Sequence, residues 1–262
     1  MAEVYSHRAD GEVLLERGIL RPLLTGEDVH RYSEPRWTWC CIYPYRLEDG
    51  RTVILEEREI RTRYPRAFKY LQRFRDELRE TRVRQKTNPR YWYSCHRSRD
   101  MNVFETRRLI TPEISHGPNM TICPAGIYHN TQVYSLLPRS SVSEPLEYWL
   151  GILNSRLLWW FISRTGVVLR GGFFRFKTNY LAPFPVVRRD NGKRGNAYKQ
   201  GRLVAGVQSA QELRKRARTA RTPHDKTSVE RQILASDQQL DHLVYELYEL
   251  TDEEIRIVED VA

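Results

Sequence analysis

The segment from Pro145 to Ser163 constrains this chain more than any other. Its apolar side chains, from Tyr148 and Trp149 through Leu157 to Phe161, surround most of a helix's circumference instead of forming one stripe. A helix that is apolar all round has to be covered on every side, so the pattern predicts a buried central helix. Ser143 is placed to cap it, and Pro145 suits its first turn. The longest apolar run, Leu157–Ile162, is far too short to cross a bilayer. The cover therefore comes from the rest of the chain, and Trp149, Trp159, Trp160 and Phe161 read as core more than as a stacking platform for bases.

The flanking sequence supplies that cover in short pieces. Residues 11–53 read as strands and turns, with the aromatic, β-prone run Trp37–Tyr43 punctuated by Pro44 and by Asp49-Gly50. Between Tyr64 and Arg84 the period becomes helical. Tyr64, Phe68, Leu71, Phe74 and Leu78 share one face, entered at Pro65. The other face carries Arg66, Lys69, Arg73, Arg79 and Arg82, either a solvated face or a phosphate track. Strands return at Tyr91–Tyr93, Arg108–Ile110, Met120–Ile122 and Gln132–Tyr134. After the central helix come a loop at Gly166–Lys177, a polar linker at 188–201, and two helices separated by Thr222–Asp225. In the second of these, Val229, Ile233, Leu240, Leu243, Leu247 and Leu250 form a seam of alternating steps broken at Ser236. Thr251 and Glu254 have capping-box spacing and open a last short helix. The predicted class is α+β: a mixed α/β body of short strands and two long helices, then a C-terminal helical hairpin. Residues 1–190 are expected to form the body, and 191–262 a tail that packs on it or on a partner.

Charge narrows the function. The chain carries 43 basic and 33 acidic residues, net +10. Only 7 of the basic residues are lysine, leaving 36 arginines (43 − 7). A GC-rich genome raises arginine everywhere, but it would not separate the signs. Between Arg58 and Arg108 there are 16 basic and 6 acidic residues, whereas from Ser228 to Ala262 there are 2 basic and 10 acidic. A basic body suits a polyanion, and an acidic tail suits protein or solvent. Cys40, Cys41, Cys95 and Cys123 show no CxxC spacing and read as free thiols of a reducing compartment. The polar Met1–Asp10 segment has no apolar signal core, so a cytoplasmic protein is expected.

Catalytic motifs are not found. Asn88-Pro89-Arg90-Tyr91 departs from the Asn-Pro-Pro-Tyr of amino-methyltransferases at its third position. A charged segment precedes it, and no glycine-rich cofactor loop follows a strand upstream. The histidines form no metal-ligand set, and His224-Asp225 reads as part of an interhelical turn. The best local candidate site is the loop Arg170-Gly171-Gly172 through Arg175 to Lys177 and Asn179. Adjacent glycines permit close backbone approach there, beside cations and aromatics suited to phosphate and base. A β-turn with a half-buried aromatic strand fits the same residues. Arg97 and Arg99, in a segment dense in base-reading side chains, form a second candidate.

Several segments in order resemble the TaqI-like C-terminal specificity domain of type IIG restriction–modification enzymes and adenine-N6 DNA methyltransferases. They are Leu20–Tyr32; Tyr64-Pro65 through Tyr70-Leu71 to Leu78, with Trp92-Tyr93; Tyr148–Ser155, ending in Leu153-Asn154-Ser155; Pro183–Pro185; and Asp241–Ile255. The resemblance implies a non-catalytic target-recognition domain that reads a short duplex DNA sequence. It also implies an adenine-N6 methyltransferase domain or subunit as partner, with S-adenosylmethionine expected on that partner and no cofactor, metal or membrane for this chain. Base-reading residues vary with target in such a family, so Arg97, Arg99, Arg170, Gly171, Gly172, Arg175, Lys177 and Asn179 rest on chemistry and position. The alternative is a degenerate or truncated specificity domain that acts as a protein-binding adaptor through its helical tail.

Overall fold

The computed structural model describes residues 1–87, 90–96, 99–188 and 194–260. The chain is α+β and divides into two compact units. One comprises Met1–Leu23, Trp37–Thr106 and Ala125–Tyr128; the other comprises Leu24–Arg36, Arg107–Pro124 and His129–Ala262.

The first unit begins with three antiparallel pairs. Strands β1 (Ala2–Ser6) and β2 (Gly11–Leu15) pair, as do β3 (Leu20–Leu24) with β4 (Trp39–Ile42) and β5 (Tyr45–Glu48) with β6 (Arg51–Ile54). In the last pair Glu48 lies opposite Arg51, leaving Asp49-Gly50 as a two-residue turn with φ of +49° and +73°. Two successive positive φ values match the type I′ turn that follows strand twist. Helices α1 (Glu57–Arg63), α2 (Pro65–Gln72), α3 (Arg75–Arg84) and α4 (Met101–Phe104) complete the unit. Ile60, Phe68, Leu71, Trp92 and Leu55 are buried together, and Phe104 stacks on Tyr128 at 4.3 Å.

Three expectations are corrected here. The single helix expected over 64–84 is two, because Arg73 N–H bonds to Tyr70 O and Phe74 N–H to Leu71 O, tight closures that end α2. Arg82, expected on the solvent face, is buried. Tyr91–Tyr93 is a buried turn, not a strand. Its aromatics satisfy their polar ends locally: Tyr93 Oη donates to Leu55 O at 2.7 Å and Trp92 Nε1 to Glu57 Oε2 at 3.2 Å.

The second unit contains β7 (Arg108–Pro112), β8 (Ile114–Ser115), β9 (Thr121–Cys123), β10 (Tyr128–His129, where the chain passes between units) and β11 (Val133–Leu136). β7 is the centre of an antiparallel sheet of order β11-β7-β9. Helices α5 (Leu146–Leu153) and α6 (Arg156–Thr165) follow, then β12 (Phe174–Arg175), α7 (Thr178–Leu181), α8 (Arg194–Thr219), α9 (Pro223–Tyr248) and α10 (Asp252–Glu259).

The central helix is buried as its composition requires, with Leu150, Ile152, Leu158 and Ile162 fully covered. It is nevertheless two helices. Asn154 leaves the helix to bond Met120, and Ser155 caps α6 by accepting from Leu158 N–H at 3.2 Å. At the start of α5 the cap residue is Pro145, not Ser143. Gly151 lets α5 approach α8: a Cβ there would lie 2.8 Å from Leu203 Cδ1.

The C-terminal hairpin forms as its seam predicts. Val207 and Ala210 of α8 and Leu240, Leu243 and Val244 of α9 join the core that holds α5 and α6. Thr222 caps α9, so His224 and Asp225 lie in its first turn and not in the connection. Thr251 and Glu254 form the expected capping box. Asp237 of α9 binds Arg214 of α8 through both carboxylate oxygens at 2.8 Å and Arg31 at 3.1 Å. The two guanidinium groups face the buried Tyr32 ring at 4.9 and 5.1 Å. One carboxylate thus orders two cations that also pack on an aromatic face.

All four cysteines are free, and Cys123 is buried. Burial pushes the Cys41 thiol up to about 12 and Cys95 up to about 11, which keeps both protonated and unreactive near neutral pH. Among the described residues no helix is long and apolar enough to cross a membrane, and no cluster of three or more His, Cys, Asp or Glu residues could hold a metal ion.

Candidate nucleic-acid interface

After α6 the chain folds back on itself. Val168 bridges Phe174, Leu169 N–H donates to Phe173 O at 2.7 Å, and Gly172 N–H donates to Leu169 O at 3.2 Å. Arg170 and Gly171 therefore occupy the corner of a tight turn. Gly171 and Gly172 have φ of +83° and +78°, a pair of left-handed positions that glycine adopts without a Cβ clash. The turn presents Arg170 to solvent, and among the described residues its guanidinium has no hydrogen-bond or ion-pair partner.

Three aromatics hold the returning strand. Phe173 lies against His116 with ring centroids 3.7 Å apart, Phe174 meets Trp159 edge-on at 5.0 Å, and Phe176 is fully buried. β12 pairs with β8, Phe174 opposite Ser115 and Arg175 opposite Ile114, and Phe176 N–H donates to Glu113 O at 2.8 Å. With Phe176 fixed inward, Arg175 and Lys177 meet one carboxylate: Arg175 Nη1 lies 2.6 Å and Lys177 Nζ 2.8 Å from Glu113 Oε1. The hydrogen bond to Glu113 holds the Lys177 ammonium above its ordinary pKa. A guanidinium anchored through one nitrogen keeps other N–H donors in its planar fork, enough for a phosphate or a guanine edge.

The expected site residues are distributed unevenly. Arg170, Gly171, Gly172, Arg175 and Lys177 are brought together in this one turn, and Asn179 follows, exposed, in α7. Arg99 lies in the other unit, half-buried, where its carbonyl accepts the Tyr43 hydroxyl at 3.1 Å. Arg97 falls outside the described residues, as do Asn88 and Pro89. Sequence reasoning missed Glu113 and the His116 ring. The available signal for Glu113 was an acid inside a short β-prone run that is otherwise uncharged, Leu109–Ser115.

Comparison with known proteins agrees with the ordered segments. The family model of the TaqI-like C-terminal specificity domain matches residues 21–186, a span that contains Glu113, His116 and the whole turn. The type II restriction enzyme and methyltransferase RM.Eco57I of Escherichia coli is 27% identical over 270 residues, covering 95% of this chain and 26% of that protein. The type II methyltransferase M.BstVI of Geobacillus stearothermophilus is 22% identical over 252 residues, covering 95% of this chain and 37% of that protein. The chain thus spans well under half the length of these curated relatives. It belongs to the TaqI-like C-terminal specificity domain family.

Proposed function

We propose that this chain is the DNA target-recognition part of a restriction–modification adenine-N6 methyltransferase, reading duplex DNA in the cytoplasm while a separate methyltransferase domain or subunit binds S-adenosylmethionine and performs the transfer. The observation that carries the reading is the Gly171-Gly172 turn, which exposes Arg170, without a partner among the described residues, beside two cations pre-positioned on Glu113. Pre-positioned donors lose less side-chain freedom on binding than mobile ones, which is what discrimination between base edges needs. Assigning catalysis elsewhere rests on the sequence, in which Arg90 replaces the second proline of the Asn-Pro-Pro-Tyr pattern.

The test measures duplex binding and methyl transfer together. The chain alone is expected to bind duplex DNA with a steep salt dependence and to transfer no methyl group. Methylation at one short sequence is expected once a cognate adenine-N6 methyltransferase is supplied. Methyl transfer by the purified chain alone would overturn the non-catalytic assignment. An absence of duplex binding would overturn the recognition reading in favour of a protein adaptor.

A further inference from the structure

The connection between α8 and α9 carries a second concentration of positive charge. From Arg214 to Lys226 there are six basic residues and a single acid, Asp225. That acid is engaged locally, accepting the Thr222 hydroxyl at 2.6 Å. Arg214 is held by Asp237, and Lys215 has Glu212 at 3.9 Å. Arg216, Arg218, Arg221 and Lys226 are exposed, with no carboxylate in ion-pair range among the described residues.

Arg218 donates to the Glu34 backbone carbonyl at 2.7 Å, which fixes it without neutralising it. Desolvation, and then the nearby Arg36 guanidinium, hold its pKa below the ordinary arginine value. Cations in the last turn of a helix complement its dipole, which accounts for Arg216 and Arg218. It does not account for Arg221 and Lys226, beyond the end of α8, or for Arg36 from another segment. The Glu34 charge acts the other way but does not offset these effects, and two neighbouring guanidinium groups with no ion-paired carboxylate are what an anion would stabilise. The run from Arg214 to Thr227 contains no apolar side chain larger than proline, so it lacks the apolar centre that a protein interface is built on. Phosphate fits better than an acidic protein.

We infer that the α8–α9 tip is a second DNA contact, a sequence-independent clamp on the phosphate backbone of duplex flanking the site read by the Gly171-Gly172 turn. This rests on duplex binding as proposed above. The 26 residues of α9 span about 39 Å, more than one duplex turn of about 34 Å. Leu240–Leu247, at the other end of α9, is buried in the core, while the tip is tied to the preceding segments where Arg218 meets Glu34. The acidic excess after Ser228 disfavours phosphate along the remainder of α9.

The experiment compares the wild-type chain with the triple variants R216Q/R218Q/R221Q and R216K/R218K/R221K on mixed-sequence duplexes of about one and about three helical turns. On the long duplex the glutamine variant is expected to lower the slope of log K against log salt by about 2–3, since each lost phosphate contact removes about 0.9. The lysine variant keeps the charge and is expected to keep the slope. On the short duplex all three proteins are expected to bind alike. Circular dichroism checks that the hairpin remains helical. An unchanged slope on the long duplex overturns the clamp, and so does equal loss on both duplexes, which would put the tip inside the primary site. If R170A weakens binding while the tip variants do not, the recognition reading stands and the clamp falls. If the wild-type chain binds neither duplex, both fall.

Discussion

The side-chain amide of Asn154 exchanges two hydrogen bonds with the backbone of Met120. Met120 N–H donates to Asn154 Oδ1 at 2.9 Å, and Asn154 Nδ2 donates to Met120 O at 3.0 Å. The amide thus imitates a strand neighbour beside β9, inside the core. The same residue's carbonyl accepts from Arg31 Nη2 at 2.8 Å, and the next peptide, Arg156 N–H, donates to Asp241 Oδ1 at 2.8 Å. The break between α5 and α6 therefore joins sheet, helices and hairpin. Asn154→Ala would strand the Met120 N–H in a site only 2% exposed, at about 1–3 kcal/mol for the unsatisfied group, while the Met120 carbonyl keeps the Tyr32 N–H at 3.0 Å. Denaturant unfolding should show a lowered midpoint, corresponding to about 1–3 kcal/mol of lost stability, at unchanged slope.

Gly151 tests the packing on the other side of α5. A Cβ there would approach Leu203 Cδ1 to 2.8 Å and Val207 Cγ2 to 3.1 Å, and Leu203 and Val207 are fully buried. Helix propensity favours alanine over glycine by about 1 kcal/mol, whereas overpacking a filled core costs about 1–3 kcal/mol. Steric crowding is expected to win, giving net destabilisation. Adding Leu203→Ala should recover part of the loss relative to Leu203→Ala alone. Simple additivity of the two substitutions in a double-mutant cycle would show that they do not meet.

These two residues mark what the sequence makes legible. The hairpin seam, the Thr251 capping box and the Asp49-Gly50 turn are local, set by spacing and by neighbouring residues, and each forms where spacing puts it. The break at Asn154 is not local. Periodicity runs a helix through it, and its cause is a backbone group 34 residues earlier. Arg82 misleads for the same reason, since its spacing places it with solvated arginines while tertiary packing buries it. In the candidate site the turn is legible from Gly171-Gly172. Its carboxylate partner is not, because Glu113 is 62 residues from Arg175 and carries no motif.

Asp241 gives a pH prediction. Burial raises its pKa above the ordinary 3.8, against the opposing effects of the Arg156 N–H and the Arg31 and Arg156 charges. A carboxyl with a raised pKa in the folded state binds its proton more tightly there than in the unfolded chain. Its contribution is therefore greatest below the unfolded pKa and is lost as pH rises through the folded pKa. Asp241→Asn removes that titration and keeps an acceptor for Arg156 N–H. The stability of the variant relative to wild type should rise as pH increases from below the ordinary carboxylate range to neutral. A constant difference across that range, measured by urea unfolding, would mean that Asp241 does not titrate there differently in the two states.

The Glu113 carboxylate separates pre-positioning from simple attraction. Arg170 is exposed and has no partner among the described residues, so Arg170→Ala should weaken duplex binding by about 1–3 kcal/mol if it reads a base edge bidentately, and otherwise should lower only the salt slope by about 1. Arg175 and Lys177 are different, because both are bound to Glu113 before any DNA arrives. Glu113→Gln removes one negative charge and the anchor together. If the cations act only as charge, binding to all duplexes tightens. If Glu113 orients the Arg175 fork, non-specific binding tightens while preference for the recognised sequence falls, since the freed guanidinium must be ordered during binding. The second outcome is expected, measured as the ratio of specific to mixed-sequence affinity at two salt concentrations. A ratio unchanged in Glu113→Gln but abolished in Arg175→Ala would leave Arg175 as a reader that needs no anchor.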